Sequence, residues 1–77
     1  KAINWQQLTE HDINSLGVHA VGKYQNNKIM AVCLTGDANI VYLFKLVGEF
    51  YKLVTKKAVE RPLTENDLKR FLLSLQH

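Results

Sequence analysis

The chain has 77 residues, a net charge of +3 and an apolar share of 47%, which suits one folded domain spanning residues 1–77 rather than a disordered tail or linker. Its single cysteine, Cys33, excludes an internal disulfide, so the bridge-stapled design of small secreted domains is ruled out and a cytoplasmic protein is expected. The opening KAINWQQL lacks the apolar centre of a signal peptide, and the most apolar run, residues 40–54, is interrupted by Lys45, Glu49 and Lys52 and falls short of the about 20 residues a membrane span needs.

In chain order, LTEHDINSLG predicts a short helix with both ends encoded. Thr9 is the N-cap, and Asp12 completes a capping box three residues on. Leu8, just before the cap, is placed to pack on Ile13, and Gly17 supplies the left-handed residue that closes such a helix. VHAVGKYQ and KIMAVCLT then predict two strands joined through Asn26–Asn27, since asparagine tolerates the positive φ of a tight turn. Around that turn Tyr24 faces Ile29, Gly22 faces Ala31 and Ala20 faces Cys33, with Val21 opposite Val32 and Lys23 opposite Met30 on the other side. One face of the hairpin is therefore lined by small residues that something can approach closely.

After TGDAN, polar positions at Lys45, Gly48, Glu49, Lys52, Thr55 and Lys56 recur at helical steps, opposite Ile40, Leu43, Phe44, Val47 and Val54. This period predicts one long helix from about Ala38 to Ala58, with a strand over residues 40–46 as the alternative. Pro62 ends it. LTENDLKRFLLSLQ predicts a final helix capped by Thr64 and Asp67, stapled by Leu63 on Leu68, and buried along Leu68, Phe71, Leu72 and Leu75. The phrase LTExD thus occurs twice, read as the same helix start used twice rather than as a duplicated functional motif. The expected fold is α+β, a small single domain in the order α-β-β-α-α, with a two-stranded hairpin packed on a long central helix and a C-terminal helix.

Leu8, Thr9, Asp12, Ile13, Leu16, Gly17, Val18 and Gly22 form an outline that resembles one segment of sterile alpha motif domains. The basic helix that such domains carry after the last glycine is replaced here by KYQNNK, so the likeness reads as shared helix-capping grammar. SLGV also resembles the turn of helix-turn-helix repressors, but HAVGKYQ after it is poorly suited to a recognition helix.

Little in the chain suggests catalysis. Cys33 lies within MAVCL, where a cysteine serves as a small buried hydrophobe, and His11, His19 and His77 are its only possible imidazole partners. No metal-ligand spacing and no phosphate-binding glycine loop occurs, so an enzyme, a cofactor and a small-molecule substrate are not expected. The expected role is that of a non-catalytic regulatory or adaptor protein that binds another protein or a second copy of itself, without a membrane. A second apolar stripe on the central helix, Tyr42, Leu46 and Leu53, is the expected partner-binding surface. The alternative is nucleic-acid binding through Lys52, Lys56, Lys57, Arg61, Lys69 and Arg70.

Overall fold

The apolar run at the centre of the chain builds sheet, not helix. In the computed structural model, which describes residues 2–74, the elements are α1 (Glu10–Asn14), β1 (Val18–Tyr24), β2 (Ile29–Leu34), β3 (Asp37–Val47), β4 (Phe50–Ala58) and α2 (Glu65–Ser74). The strands form one antiparallel sheet in the order β1-β2-β3-β4. The α+β class stands, but the order α-β-β-α-α does not. The long helix expected over Ala38–Ala58 is the β3–β4 hairpin, and no hairpin packs on a central helix.

The physical reason lies in Gly48 and in burial on both sides of the sheet. Gly48 takes φ +65 and Glu49 does not share that sign, so Val47–Gly48–Glu49–Phe50 closes a two-residue turn with glycine first. Val47 then pairs with Phe50, Leu46 with Tyr51 and Lys45 with Lys52. The middle of β3 is covered on both faces, so Val41, Tyr42 and Phe44 are all buried and the period-two alternation of a half-exposed strand is erased. Val54 is the extra residue of a bulge between the Phe44–Leu53 and Leu43–Thr55 pairs. That extra residue shifts the polar positions of β4 and makes their spacing resemble a helical one.

The first hairpin has the expected register, from Tyr24–Ile29 through Gly22–Ala31 to Ala20–Cys33. Its loop takes positive φ at Gln25, Asn26 and Asn27, and the pairing slips at His19, so Val18 and not His19 meets Leu34. Both capping boxes form. The Asp12 and Thr9 pair exchange bonds of 3.0 Å in each direction, and Thr64 and Asp67 exchange bonds of 3.0 and 3.2 Å. Gly17 takes φ +85 after α1. Leu75 of the expected buried stripe, like His77, lies outside the described residues.

Each face of the sheet has its own core. On one face the N-terminal segment packs Leu8 and Ile13 against Met30, Val32, Tyr42, Phe44 and Tyr51. Trp5 stacks on Tyr42 with ring centroids 5.3 Å apart and on Phe44 at 6.3 Å, both near parallel. The same segment pairs with the rim of β4. Leu8 N–H donates to the Tyr51 carbonyl at 3.1 Å, Tyr51 N–H returns a bond at 2.7 Å, and Leu53 N–H donates to the Trp5 carbonyl at 2.8 Å. An edge strand that would otherwise invite pairing is thereby occupied along part of its length.

On the other face α2 seats Leu68 and Leu72 over Ala31, Cys33 and Val41. The small residues read in the sequence make this possible. A Cβ at Gly22 would meet the Leu68 Cβ at 3.0 Å and the Lys69 backbone nitrogen at 3.2 Å. Backbone atoms cannot give way as a flexible side chain can, so Gly22→Val should cost about 1–3 kcal/mol through overpacking, measured by urea unfolding, with the α2 amides losing hydrogen-exchange protection first.

The second capping box predicts an acid signature. Its hydrogen bonds from Thr64, with Arg61 at 3.1 Å, hold the Asp67 carboxyl at about 2, below the ordinary 3.8. A group with a lowered folded pKa stabilises above its unfolded value, and that contribution is lost as pH falls through the folded one. Asp67→Asn should therefore lower the melting temperature at pH 7, and the difference from wild type should shrink between pH 4 and pH 2.

A candidate binding surface on the open half of the sheet

Placed on the fold, the residues expected to bind a partner become part of the interior. Tyr42 is 6% exposed, and its hydroxyl donates to Asp37 Oδ2 at 3.2 Å. Burial, then the Asp37 carboxylate, raises its pKa. Leu46 and Leu53 are half-buried and pack on the core beneath the N-terminal segment. With no central helix there is no second helical stripe: Tyr42 is buried, Leu53 is packed against the core, and Leu46 both packs there and borders a groove on the sheet.

The basic residues expected to meet nucleic acid are dispersed. Successive strand residues point to opposite faces, so Lys56 lies over the Tyr42 ring at 5.9 Å while Lys57 lies over the Phe71 ring, on the other side of the sheet, at 5.8 Å. Arg61 is bound to Asp67. Lys69 lines a shallow groove with Val21, Lys23 and Glu65 beside β1. Arg70 is exposed, on the side of α2 opposite Leu68 and Leu72. Of this set only Lys52 and Lys57 share one face of the sheet.

That face is the informative one. α2 sits over β1 and β2, and its flank reaches Val41 and Lys57 but leaves the β3–β4 half open. There the lining of a groove of about 330 Å³ includes Lys28, Ile29, Leu43, Lys45, Val54 and the Leu46 expected from the sequence. Ile29 and Leu43 are half-buried, whereas Val54 is 57% exposed, an unusual exposure for a valine in a strand. Lys45 and Lys52 stand directly opposite each other across the hairpin. Among the described residues, the carboxylates in ion pairs are Glu10, which holds Lys23 at 2.7 Å, and Asp67, which holds Arg61. Neither pairs with Lys28, Lys45, Lys52 or Lys57. The result is an aliphatic floor beside a cationic rim that has no ion pair among the described residues.

Lys28, Ile29, Leu43, Lys45 and Val54 were not singled out from the sequence. The signal that finds two of them is the Gly48–Glu49 turn, since counting outward from a two-residue loop sets Lys45 against Lys52. No comparable signal marks Val54, whose exposure depends on the bulge.

Cys33 is fully buried under α2, and burial pushes its thiol pKa up, away from the reactive thiolate. His11 and His19 lie on α1 and β1, and His77 lies outside the described residues. Among the described residues no group of three or more His, Cys, Asp or Glu side chains could hold a metal, and no helix is long and apolar enough to cross a membrane. Comparison with known proteins finds no matching family model, no matching curated protein and no matching solved structure.

Like charges placed directly opposite on a sheet, as Lys45 and Lys52 are, are destabilising, and no ion pair among the described residues offsets this one. Lys52→Glu should convert repulsion into attraction and raise the melting temperature by about 1–4 °C. Scanning calorimetry at low and high salt checks it. The gain should fade as salt screens the pair.

Proposed function

We propose that this chain is a non-catalytic cytoplasmic domain that works by binding another protein, through the half of the sheet that α2 leaves open. The observation that supports this most is Val54 with Ile29 and Leu43 beneath the Lys45–Lys52 pair. A domain this small has little stability to spare. Leaving an aliphatic floor half-exposed and stacking like charges beside it both lower stability, and neither serves the fold. Functional surfaces are where such local costs are expected. The burial of Cys33, with its raised thiol pKa, supports the non-catalytic part of the reading.

Nucleic-acid binding is the second reading, favoured by the cluster of Lys45, Lys52 and Lys57 on one face. Single-stranded nucleic acid is held by aromatic side chains on which bases stack, alongside cations that track the backbone. The floor of this groove is aliphatic. Trp5 and Tyr42 are committed to each other on the opposite face, and on this face Tyr24 and Phe71 are packed against the core beneath α2, which leaves Phe50 at the tip of the hairpin. Protein is therefore the better-matched partner.

The test is a photo-crosslinking residue at Val54, with one at Leu73 on the exposed side of α2 as the control. Discrete protein adducts from position 54 that are absent from position 73, and that disappear when Lys45 and Lys52 are both changed to glutamate, are the expected result. Nucleic-acid adducts from position 54 would instead establish the second reading. Equal, indiscriminate labelling from both positions would leave no role for the open face.

A further inference from the structure

The protein-binding reading can be taken one step further, to the chemistry of the partner. Neighbouring strands lie about 4.8 Å apart, so a four-stranded sheet is about 15–19 Å wide, and an α-helix with its side chains is about 10 Å across. α2 occupies the β1–β2 half of its face. The remaining half has room for one more helix lying beside α2. The floor there, Ile29, Leu43 and Val54, suits an apolar helical stripe. The rim, Lys28, Lys45, Lys52 and Lys57, has no carboxylate partner among the ion pairs of the described residues. A helix seated on that floor would bring its flanking positions against those ammonium groups.

We infer that the open half of the sheet seats an acidic amphipathic helix of a partner protein, lying beside α2 with its apolar stripe on Ile29, Leu43 and Val54 and its carboxylates on Lys45 and Lys52. This rests on the protein-binding reading above. Charge complementarity also separates this occupant from a second copy of the chain. A face-to-face pair would bring the lysines of one copy against those of the other, and the chain as a whole carries +3.

The test uses the intact chain, labelled with nitrogen-15, and synthetic 18-residue peptides with capped ends. The probe carries leucine at i, i+3, i+4 and i+7 spacing with glutamate on either side of the stripe. Its controls replace every glutamate by glutamine, every glutamate by lysine, or every leucine by alanine, and a dT18 oligonucleotide is titrated in parallel. Amide shifts should appear with the glutamate–leucine probe at Ile29, Leu43, Lys45, Lys52 and Val54, and not along the Lys56–Tyr42 side of the sheet. Affinity should fall about tenfold or more for Lys45→Gln with Lys52→Gln, and should weaken as salt rises.

If the glutamine or lysine peptide shifts the same amides as strongly as the glutamate peptide, the inference fails and the protein-binding reading survives. Equal binding of the alanine peptide would reduce the site to charge alone and also overturns the inference. Concentration-dependent shifts of these amides without any peptide would identify a second copy as the occupant and overturn it as well. Binding of dT18 with no response to any peptide would remove both the inference and the reading beneath it. Silence towards every probe overturns the inference. Val54→Asp, in which the sheet stays folded by circular dichroism, should lose the response to the glutamate–leucine probe. An unchanged response would also count against the inference.

Discussion

The close seat of α2 on the strip formed by Ala20, Gly22, Ala31 and Cys33 is the contact on which the architecture depends. A four-stranded sheet cannot leave both faces in water, and a chain this short has few residues with which to cover them. Small side chains on β1 and β2 let the helix come down until the Leu68 Cβ lies within 3.0 Å of where a Gly22 Cβ would stand. Leu68 and Leu72 are then completely removed from water, along with Ala31 and Cys33. Larger residues on that strip would lift the helix and leave a gap that the chain has nothing to fill. On the opposite face the N-terminal segment does the corresponding work with aromatic stacking and with backbone bonds to β4.

The two covers are unequal, and the inequality leaves half of one sheet face open. The N-terminal segment crosses to β4 and tucks Trp5 over Tyr42 and Phe44. α2 stays over the first hairpin. The second hairpin thus has one covered face and one open one, and its lysines divide accordingly: Lys56 lies over Tyr42 on the covered side, while Lys45, Lys52 and Lys57 fall on the open side. The bulge at Val54 adds an exposed aliphatic residue beside them. The open surface therefore follows from where α2 stops, and its chemistry follows from a bulge and a turn.

Local signals in the sequence proved legible where a single residue type has a single physical use. Thr9 with Asp12 and Thr64 with Asp67 form the capping boxes that their spacing announces, and Gly17 takes the left-handed conformation. The pairing of the first hairpin could be written from Asn26–Asn27 outward, and the small face it implied is the seat of α2. The second hairpin is disguised in the sequence for a reason that is also physical. Within IVYLF the buried residues Val41, Tyr42 and Phe44 fall on both faces, so the run shows no alternation, and the extra residue in β4 pushes its polar positions towards helical spacing. The β-branched and aromatic content of the run and the Gly48–Glu49 turn carried the correct answer. The candidate surface was only half legible. Lys52 and Lys57 were noticed as charges, but their grouping with Lys28, Lys45 and Val54 exists only once the hairpin is closed.

One face of the sheet is divided into a covered half and an open half, and two thiols on that face can report on both. Cys33 is the natural probe of the half beneath α2, and Val54→Cys places a second on the half beyond it. Reaction with an aromatic disulfide reagent should show one thiol modified at close to the rate of a free cysteine and one modified only as fast as the protein opens. Protection of the thiol at position 54 equal to that of Cys33 would contradict the account, because the surface on which the proposed function stands would then be closed.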